Sequence, residues 1–167
     1  MKELLIGCGH SREKRLGIGG KEWQNLVTLD MSAHVNPDVV HDLEVLPYPF
    51  ADEEFDEIHA YEVLEHCGSQ GDYQFFFAQF REFDRILKPG GIVCITCPNW
   101  GGRWAWGDPG HKRILGFEQF IYLDKSVYQD GAKTTSMTDY SHLWQGDLRI
   151  IAANTDGDGG RWILRKT

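Results

Sequence analysis

Two short apolar runs near the start of the chain constrain its fold more than any other feature. Residues 4–9 are Leu-Leu-Ile-Gly-Cys-Gly, and residues 26–30 are Leu-Val-Thr-Leu-Asp. An apolar triplet that leads into Gly-x-Gly is typical of a buried strand followed by a tight turn, and the second run predicts another buried strand that ends on an acid. The two runs therefore predict the first two strands of an open α/β sheet.

These runs also predict a ligand. Open α/β sheets hold a nucleoside at such a place, because the glycine turn lets the backbone approach the ligand and the carboxylate accepts hydrogen bonds from ribose hydroxyls. Here the turn is Gly7 to Gly9 and the acid is Asp30. Arg12 stands where the dinucleotide fingerprint has its third glycine, so the turn alone does not distinguish one nucleoside cofactor from another.

Composition narrows the class of protein. With 167 residues, of which 41% are hydrophobic and 25% charged, the sequence predicts one globular domain over residues 1–167. The net charge of −8 leaves no basic surface for nucleic acid, so we expect no nucleic-acid partner. No apolar run approaches the ~20 residues of a membrane helix, and the first three residues lead straight into a strand, so we expect neither a membrane segment nor a signal peptide.

The cysteines favour a reduced protein without a metal. Cys94 and Cys97 form C-x-x-C, but they lie in the apolar run 91–97, which predicts a strand. Residues three apart on a strand point to opposite faces, and no second ligand pair follows, so the sequence predicts no metal site. Together with Cys8 and Cys67 they are expected to be thiols packed as small hydrophobes, which favours a cytoplasmic location.

Residues 10–25 depart from what usually follows a nucleotide-binding turn. An amphipathic helix is typical there, but this segment has three glycines within four residues, at 17, 19 and 20, and few apolar side chains. Such a composition disfavours a helix. We expect a long loop with at most one helical turn, with Trp23 packed onto the sheet. The basic residues of the segment are expected to be solvated; they are Arg12, Lys14, Arg15 and Lys21.

The later chain alternates strands and helices. Further strands are predicted over residues 37–43, 55–60 and 92–97, a loop or single helical turn over 62–66, a helix over 117–128 that stops at Gly131, and a terminal hairpin over 148–153 and 161–165. The clearest helix spans 72–87. Its apolar stripe follows the helical period, Asp72 caps its start and residues 88–91 end it; the stripe is Phe76, Phe80, Phe83 and Leu87.

Residues 98–116 are rich in glycine and tryptophan and have no period, which predicts a loop that is long for a compact domain. Trp100, Trp104 and Trp106 lie within it. Two interpretations stay open for these side chains: they line a pocket for an acceptor molecule, or they fasten the loop to the domain.

Taken together, these runs resemble the class I S-adenosylmethionine-dependent methyltransferases, in particular the methyltransferase type 11-like group. The matching motifs occur in order over most of residues 4–128. They are Leu-Ile-Gly-Cys-Gly (5–9), Leu-Asp (29–30), His-Asp-Leu (41–43), Leu-Pro-Tyr-Pro-Phe (46–50), Phe-Asp-Glu-Ile (55–58), Val-Leu-Glu-His (63–66), Arg-Ile-Leu-Lys-Pro-Gly-Gly (85–91) and Asp-Pro-Gly-His-Lys-Arg (108–113).

The resemblance implies a Rossmann-like α/β fold with a seven-stranded mixed sheet of order 3-2-1-4-5-7-6 and an antiparallel last strand, here with the first helix reduced to a loop. It implies S-adenosylmethionine as cofactor and S-adenosylhomocysteine as product. The turn at Gly7, Cys8 and Gly9 would pass under the methionine part and the ribose. The other implied cofactor contacts are Asp30 and Met31 at the ribose, Asp42 and Leu43 at the adenine, and Glu62 and Val63 at the methionine end.

Two histidines are candidates for the proton acceptor of methyl transfer. His66 follows the fourth strand, where the methyl group should emerge, and imidazole takes up protons near neutral pH. His111 is the second candidate, with Lys112 and Arg113 beside it able to bind an anionic acceptor. Each histidine could equally serve only to pack its loop.

The sequence thus predicts a methyltransferase for a small-molecule or saccharide-like acceptor. A nicotinamide-dependent oxidoreductase would share the glycines and Asp30 but would not explain Lys-Pro-Gly-Gly before the fifth strand. A nucleic-acid amino-methyltransferase usually has Asn/Asp-Pro-Pro-Tyr/Phe after the fourth strand, where residues 60–63 are Ala-Tyr-Glu-Val. A domain that binds the cofactor without catalysis, as a regulatory module, is the remaining alternative.

Overall fold

Seven strands form one mixed sheet at the centre of the computed structural model, which describes residues 1–131 and 136–167. The strands are β1 (Glu3–Ile6), β2 (Leu26–Asp30), β3 (Val39–Val40), β4 (Phe55–Tyr61), β5 (Leu87–Pro98), β6 (Leu148–Asp156) and β7 (Gly159–Lys166). Their order is β3-β2-β1-β4-β5-β7-β6, and β7 runs antiparallel to both of its neighbours. The predicted fold class and strand order are confirmed.

Helix α1 (Tyr73–Ile86) covers one face of the sheet. The Asp72 side chain accepts a hydrogen bond from the amide of Phe75 at 3.0 Å, which confirms the predicted N-cap. Three residues of the predicted stripe are buried, namely Phe80, Phe83 and Leu87, whereas Phe76 is only half-buried and Phe77 takes its place in the core. Leu87 begins β5, so residues 88–91 belong to a strand that is longer than the predicted 92–97.

The opposite face of the sheet carries a smaller apolar cluster, which segment 10–25 covers. Leu5, Cys8, Tyr61, Ile92 and Cys94 are buried there, and Leu16 and Trp23 of the segment 10–25 pack against them. That segment has no helical turn. The predicted loop in place of the first helix, with Trp23 on the sheet, is therefore confirmed, and Cys94 and Cys97 do lie on opposite faces as predicted.

The predicted helix over residues 117–128 is wrong as a single element. The structure has instead a short helix α3 (Phe117–Phe120), a 3-10 turn (Ile121–Leu123) and a π-helical turn (Val127–Gly131). The break comes at Asp124, whose carboxylate accepts hydrogen bonds from the amide and hydroxyl of Ser126 at 2.8 and 2.6 Å. This side chain competes with the backbone ladder of a continuous helix.

Two other predictions differ in extent. The third strand is only Val39–Val40 rather than residues 37–43. The loop 98–116 includes one five-residue helix, α2 (Arg103–Gly107). The terminal hairpin is confirmed, with strands longer than predicted. Within the described ranges, no helix is both long and apolar enough to cross a lipid bilayer.

Candidate functional site

The predicted glycine turn follows β1 directly, at the carboxyl edge of the sheet. Gly7 has a φ of +58°, and a Cβ added to it would stand 2.2 Å from Cγ2 of Val63, so a side chain is excluded at this position. Gly9 has a φ of +52°, but a Cβ there would meet nothing within 4 Å. The backbone at Gly9 thus faces open space that a ligand can enter.

Asp30, at the end of β2, is fixed by the backbone on both sides. One carboxylate oxygen accepts a hydrogen bond from the amide of Gly9 at 3.0 Å, and the other accepts one from the amide of Ser32 at 2.9 Å. A carboxylate has about four acceptor positions, so both oxygens retain capacity for further donors. The arrangement holds the acid beside the glycine turn, as the nucleoside prediction requires.

Asp42 and Leu43 form the next wall. Asp42 accepts a hydrogen bond from the amide of Glu44 at 2.9 Å, which makes an Asx turn and fixes the loop after β3. Leu43 is buried, and its carbonyl accepts a hydrogen bond from the Tyr48 hydroxyl at 3.1 Å. The turn presents the Asp42 carboxylate at the same edge of the sheet as Asp30.

These residues surround a cavity of about 280 Å³. Seven predicted site residues line it: Gly7, Asp30, Met31, Asp42, Leu43, Val63 and His66. Cys8 and Gly9 line an adjoining cavity of about 190 Å³, which also borders Gly7 and is walled by Arg15 and Tyr61. Glu62 lines neither cavity; it adopts a φ of +51° between β4 and the 3-10 turn Leu64–His66.

A short segment closes the rim of the larger cavity. Lys112 pairs with Glu44 at 2.9 Å, and Glu44 also accepts a hydrogen bond from the amide of Gly68 at 2.6 Å. The amides of Lys112 and Arg113 donate to the carbonyl of Glu65. The segment around Lys112 is thereby fastened both to the loop after β3 and to the turn after β4.

The two candidate histidines lie together. Their ring centroids are 4.7 Å apart with the planes nearly perpendicular, and Nδ1 of His66 is 3.0 Å from the carbonyl of Gly110. Beside them lies Glu65, which is 2% exposed and whose two carboxylate oxygens have no hydrogen-bond partner. Burial raises the pKa of Glu65 to about 8. Sequence reasoning missed Glu65, because a carboxylate in Val-Leu-Glu-His gives no sign of its burial.

The expectation that the basic residues of segment 10–25 are all solvated is wrong for Lys14. It is 3% exposed, and its ammonium lies 2.5 Å from Glu3 and 2.9 Å from Glu57. Burial opposes the charged form, but the hydrogen bonds that the Lys14 ammonium donates to the two carboxylates raise the pKa of Lys14. The physical reason is that two acids on adjacent strands are buried under this loop and need a cation.

The three tryptophans of segment 98–116 are exposed, at 63% for Trp100, 53% for Trp104 and 73% for Trp106. The Trp106 indole donates a hydrogen bond to the carbonyl of Trp100 at 3.0 Å. None of the three lines either cavity at the glycine turn. This hydrogen bond joins two residues of the same loop, so both interpretations of the tryptophans stay predictions.

The sequence matches one family of known proteins. The profile of the methyltransferase domain family matches residues 4–95, which is more than half of the chain. A search of the curated proteins finds no match to the sequence.

Solved structures share the fold at low sequence identity. A SAM-dependent methyltransferase from Archaeoglobus fulgidus is 13% identical, with a TM-score of 0.60 over 99% of this chain and 86% of that one. The N-methyltransferase NodS from Bradyrhizobium japonicum, in complex with S-adenosylhomocysteine, is 13% identical, with a TM-score of 0.55 over 99% and 77%.

A chain of a Haloferax volcanii complex between a methyltransferase and its activator is 14% identical to this chain. Its TM-score is 0.55 over 98% of this chain and 81% of the Haloferax chain. The family match covers β1, β2 and β4, whose ends build the cavity. On this match and this strand order, the chain belongs to the class I S-adenosylmethionine-dependent methyltransferases.

Proposed function

We propose that this methyltransferase acts on a small-molecule or saccharide-like acceptor and binds S-adenosylmethionine in the two joined cavities at the carboxyl edge of the sheet. The observation that carries the proposal is the convergence of residues from four separate segments on one cavity: the glycine turn, Asp30, Asp42 and Val63. A cavity of about 280 Å³ is near the lower limit for ligand sites, and the adjoining 190 Å³ extends it.

The residues present fit the cofactor. Asp30 has acceptor capacity for ribose hydroxyls after its two backbone hydrogen bonds, and the Asp42 carboxylate can accept from the adenine amine. The amide of Leu43 donates to no acceptor among the described residues and can serve adenine as a donor. The open space beside Gly9 takes the methionine end, where Cys8 and Glu62 complete the proposed contacts, and Met31 lies beside Asp30 in the larger cavity.

When bound, the cofactor supplies an electrophilic methyl carbon, whose bond to sulfur breaks with the electron pair left on sulfur as the acceptor atom forms its bond to carbon. The protein has to hold the acceptor in line and take its proton. We assign that proton to an imidazole, His66 at the cavity wall or His111 packed against it.

Two features support a small acceptor with an apolar face rather than a nucleic acid. A separate cavity of about 220 Å³ lies across the segment 112–115 from the cofactor cavity, and it is lined by the rings of Tyr73, Phe76, Phe77, Tyr122 and Tyr140. Aromatic faces suit the apolar face of a sugar or another ring. The net charge of −8 disfavours a nucleic-acid acceptor.

Calorimetry with S-adenosylhomocysteine tests cofactor binding. We expect 1:1 binding by the wild type and an affinity about 10- to 100-fold lower for Asp30→Ala, since a hydrogen bond to a charged group contributes about 1.5–3 kcal/mol. Glu118→Ala, which removes an exposed acid distant from the cavity, is the control. Circular dichroism checks that both variants are folded. Equal affinity of Asp30→Ala and wild type would refute the site.

A panel of sugars, phenols and amines then tests catalysis, with S-adenosylhomocysteine formation as the readout. We expect at least one acceptor to be turned over, and His66→Ala to lower that turnover while cofactor binding is retained. Binding of the cofactor without transfer to any acceptor would favour the non-catalytic module instead.

A further inference from the structure

Glu65, His66 and His111 form a cluster, which we call the Glu65 cluster. One possible ligand atom from each residue lies within 4.8 Å of the other two. The residues come from the 3-10 turn after β4 and from the segment that closes the cavity rim, so the cluster forms only when the chain folds. A carboxylate with two imidazoles is a donor set that divalent transition metals prefer.

The cluster lacks a cation. Both carboxylate oxygens of Glu65 are buried without a hydrogen-bond partner, and no lysine, arginine or histidine of the described chain pairs with them within 4.0 Å. The nearby Arg113 is engaged elsewhere: it donates to the carbonyl of Leu64 at 2.9 Å and to the side chain of Gln79. An isolated buried carboxylate is costly unless it is protonated, paired or bound to a metal.

The imidazoles are oriented as ligands. A carbonyl only accepts hydrogen bonds, so Nδ1 of His66 carries the proton that it donates to Gly110, and Nε2 keeps its lone pair. In His111, Nδ1 is buried without a partner, while Nε2 lies 3.9 Å from Asp108. His66 thus has the arrangement that is usual in metal sites, in which one ring nitrogen donates a hydrogen bond and the other is left as ligand.

We propose that Glu65, His66 and His111 bind one divalent zinc-class ion at the edge of the cofactor cavity. Two imidazole nitrogens disfavour magnesium and calcium, which take oxygen ligands. Ligand atoms around a tetrahedral zinc ion at 2.0–2.2 Å stand about 3.3–3.6 Å apart, and the three atoms of the cluster lie within 4.8 Å of one another, so a shift of no more than about 1.5 Å brings them to that geometry. Three protein ligands leave a position open for a further ligand.

The site goes beyond the proposed function, and it changes one assignment within it. A nitrogen bound to the ion cannot accept the proton of an acceptor. With the ion bound, His66 and His111 are ligands, and an acceptor hydroxyl in the open position would lose its proton more readily because the ion stabilises the oxyanion.

The test is zinc binding by metal-free protein, measured by calorimetry and by the metal content after equilibrium dialysis. We expect one zinc ion per chain in the wild type. Glu65→Gln and His111→Ala are expected to weaken zinc binding by about 100-fold or more. Loss of a residue that only hydrogen-bonds a metal ligand already weakens binding by about 10- to 100-fold, and loss of the ligand itself should cost at least as much. His34→Ala, which removes an exposed histidine outside the cluster, should bind zinc like the wild type.

A chemical readout checks the location without a variant. Zinc should protect His66 and His111 from modification by diethylpyrocarbonate, as read by mass spectrometry, and leave the modification of His34 unchanged. Less than about half an equivalent of zinc in the wild type, undiminished affinity in Glu65→Gln, or absence of protection would each overturn the site.

Measuring S-adenosylhomocysteine binding on the same samples separates the two proposals. Cofactor binding without zinc binding refutes only the metal site. Zinc binding without cofactor binding refutes only the proposed function.

Discussion

Two clusters combine glutamate with histidine, one within β4 and one just beyond its end, and they differ in how their charge is balanced. Glu3, Lys14, Glu57 and His59 form the first, which we call the Lys14 cluster; the second is the Glu65 cluster. In both, carboxylate and imidazole atoms come within 4.8 Å of one another. The Lys14 cluster contains its own cation, whereas no cation of the described chain pairs with Glu65.

The Lys14 cluster is fully hydrogen-bonded. Lys14 joins the two carboxylates, Glu3 also accepts hydrogen bonds from the amides of Gln24 and Asn25, and His59 donates to Glu57 at 2.9 Å. Since that carboxylate only accepts, Nδ1 of His59 is left to accept from the Tyr61 hydroxyl at 2.6 Å. Every buried charge therefore has a partner within the protein.

This difference in charge balance indicates that the two clusters have different roles. Glu57, His59 and Tyr61 alternate along β4 and therefore face the same side of the sheet, the side that segment 10–25 covers. Lys14 and Trp23 of that segment pack on them, so the Lys14 cluster fastens the loop that replaces the first helix. The Glu65 cluster lies beyond the strand end, at the cavity, where burial raises the pKa of Glu65 to about 8 and its carboxyl oxygens have no hydrogen-bond partner in the described chain.

The largest effect is expected from Lys14→Met, which removes the cation and keeps the length of the side chain. Two buried carboxylates would lose their partner, and breaking a buried ion pair from one side costs about 3–5 kcal/mol. Denaturant unfolding measures the loss. Lys21→Met, in the same loop but exposed, should change the unfolding free energy by no more than about 0.5 kcal/mol. Similar losses of unfolding free energy in the two variants would contradict the proposed stabilising role of the Lys14 cluster.

The sequence predicts the positions of the strands more reliably than the partners of their buried polar residues. Apolar runs that end in glycine or acid locate β1, β2 and β4, and the family motifs supply the order of the sheet. However, Glu57 and His59 lie within a run that predicts a buried strand, and only Lys14, far away in the chain, makes their burial possible. Linear patterns do not show such a pairing, which is why the basic residues of segment 10–25 are all expected in solvent.

The candidate site also has a part that the sequence predicts and a part that it does not. Gly7, Asp30 and Asp42 are predictable because each ends a strand, and strand ends meet at one edge of a parallel sheet. The Glu65 cluster is not predictable, because metal patterns in sequence rely on short cysteine and histidine spacings. His111 joins Glu65 and His66 only through the fold of the segment that closes the cavity.

Glu57→Gln is expected to have the next largest effect. The neutral amide keeps the shape but loses charge-assisted hydrogen bonds to Lys14 and His59, each of which contributes about 1.5–3 kcal/mol. Denaturant unfolding at pH 7 should show a loss of that size. A change within experimental error would mean that the Lys14 cluster adds no net stability.

A smaller loss is expected from His59 on mild acidification. Burial lowers the pKa of His59 in spite of the hydrogen bond to Glu57, so below pH 6.5 the unfolded chain binds a proton at this residue that the folded chain refuses, and the contribution of His59 to stability falls with pH. The raised pKa of Glu65 acts in the opposite sense over the same range, because its folded carboxyl holds a proton that the unfolded one has lost. For Glu3 and Glu57 burial acts in the opposite sense, but hydrogen bonds prevail and lower each pKa. Their contribution is lost below about pH 4.5.

Unfolding measured between pH 7 and 5 tests this window. His59→Gln should reduce the slope between pH 6.5 and 5.5, because the remaining groups that face it, Glu3, Lys14, Glu57 and Tyr61, do not titrate there. If the slope of unfolding free energy against pH is unchanged in that variant, His59 does not contribute to the pH dependence of stability.

No loss of stability of the metal-free protein is expected from Glu65→Gln, the counterpart of Glu57→Gln in the other cluster. The Glu65 carboxylate makes no hydrogen bond, so the neutral amide removes no contact. Burial raises the pKa of Glu65 to about 8, so folding has to protonate this side chain at pH 7, and the variant avoids that cost and should be at least as stable as the wild type. Saturating zinc should then stabilise the wild type and not the variant, since a ligand stabilises only the state that binds it. A loss as large as that of Glu57→Gln would show that Glu65 has a partner within the protein, and the contrast between the two clusters would disappear.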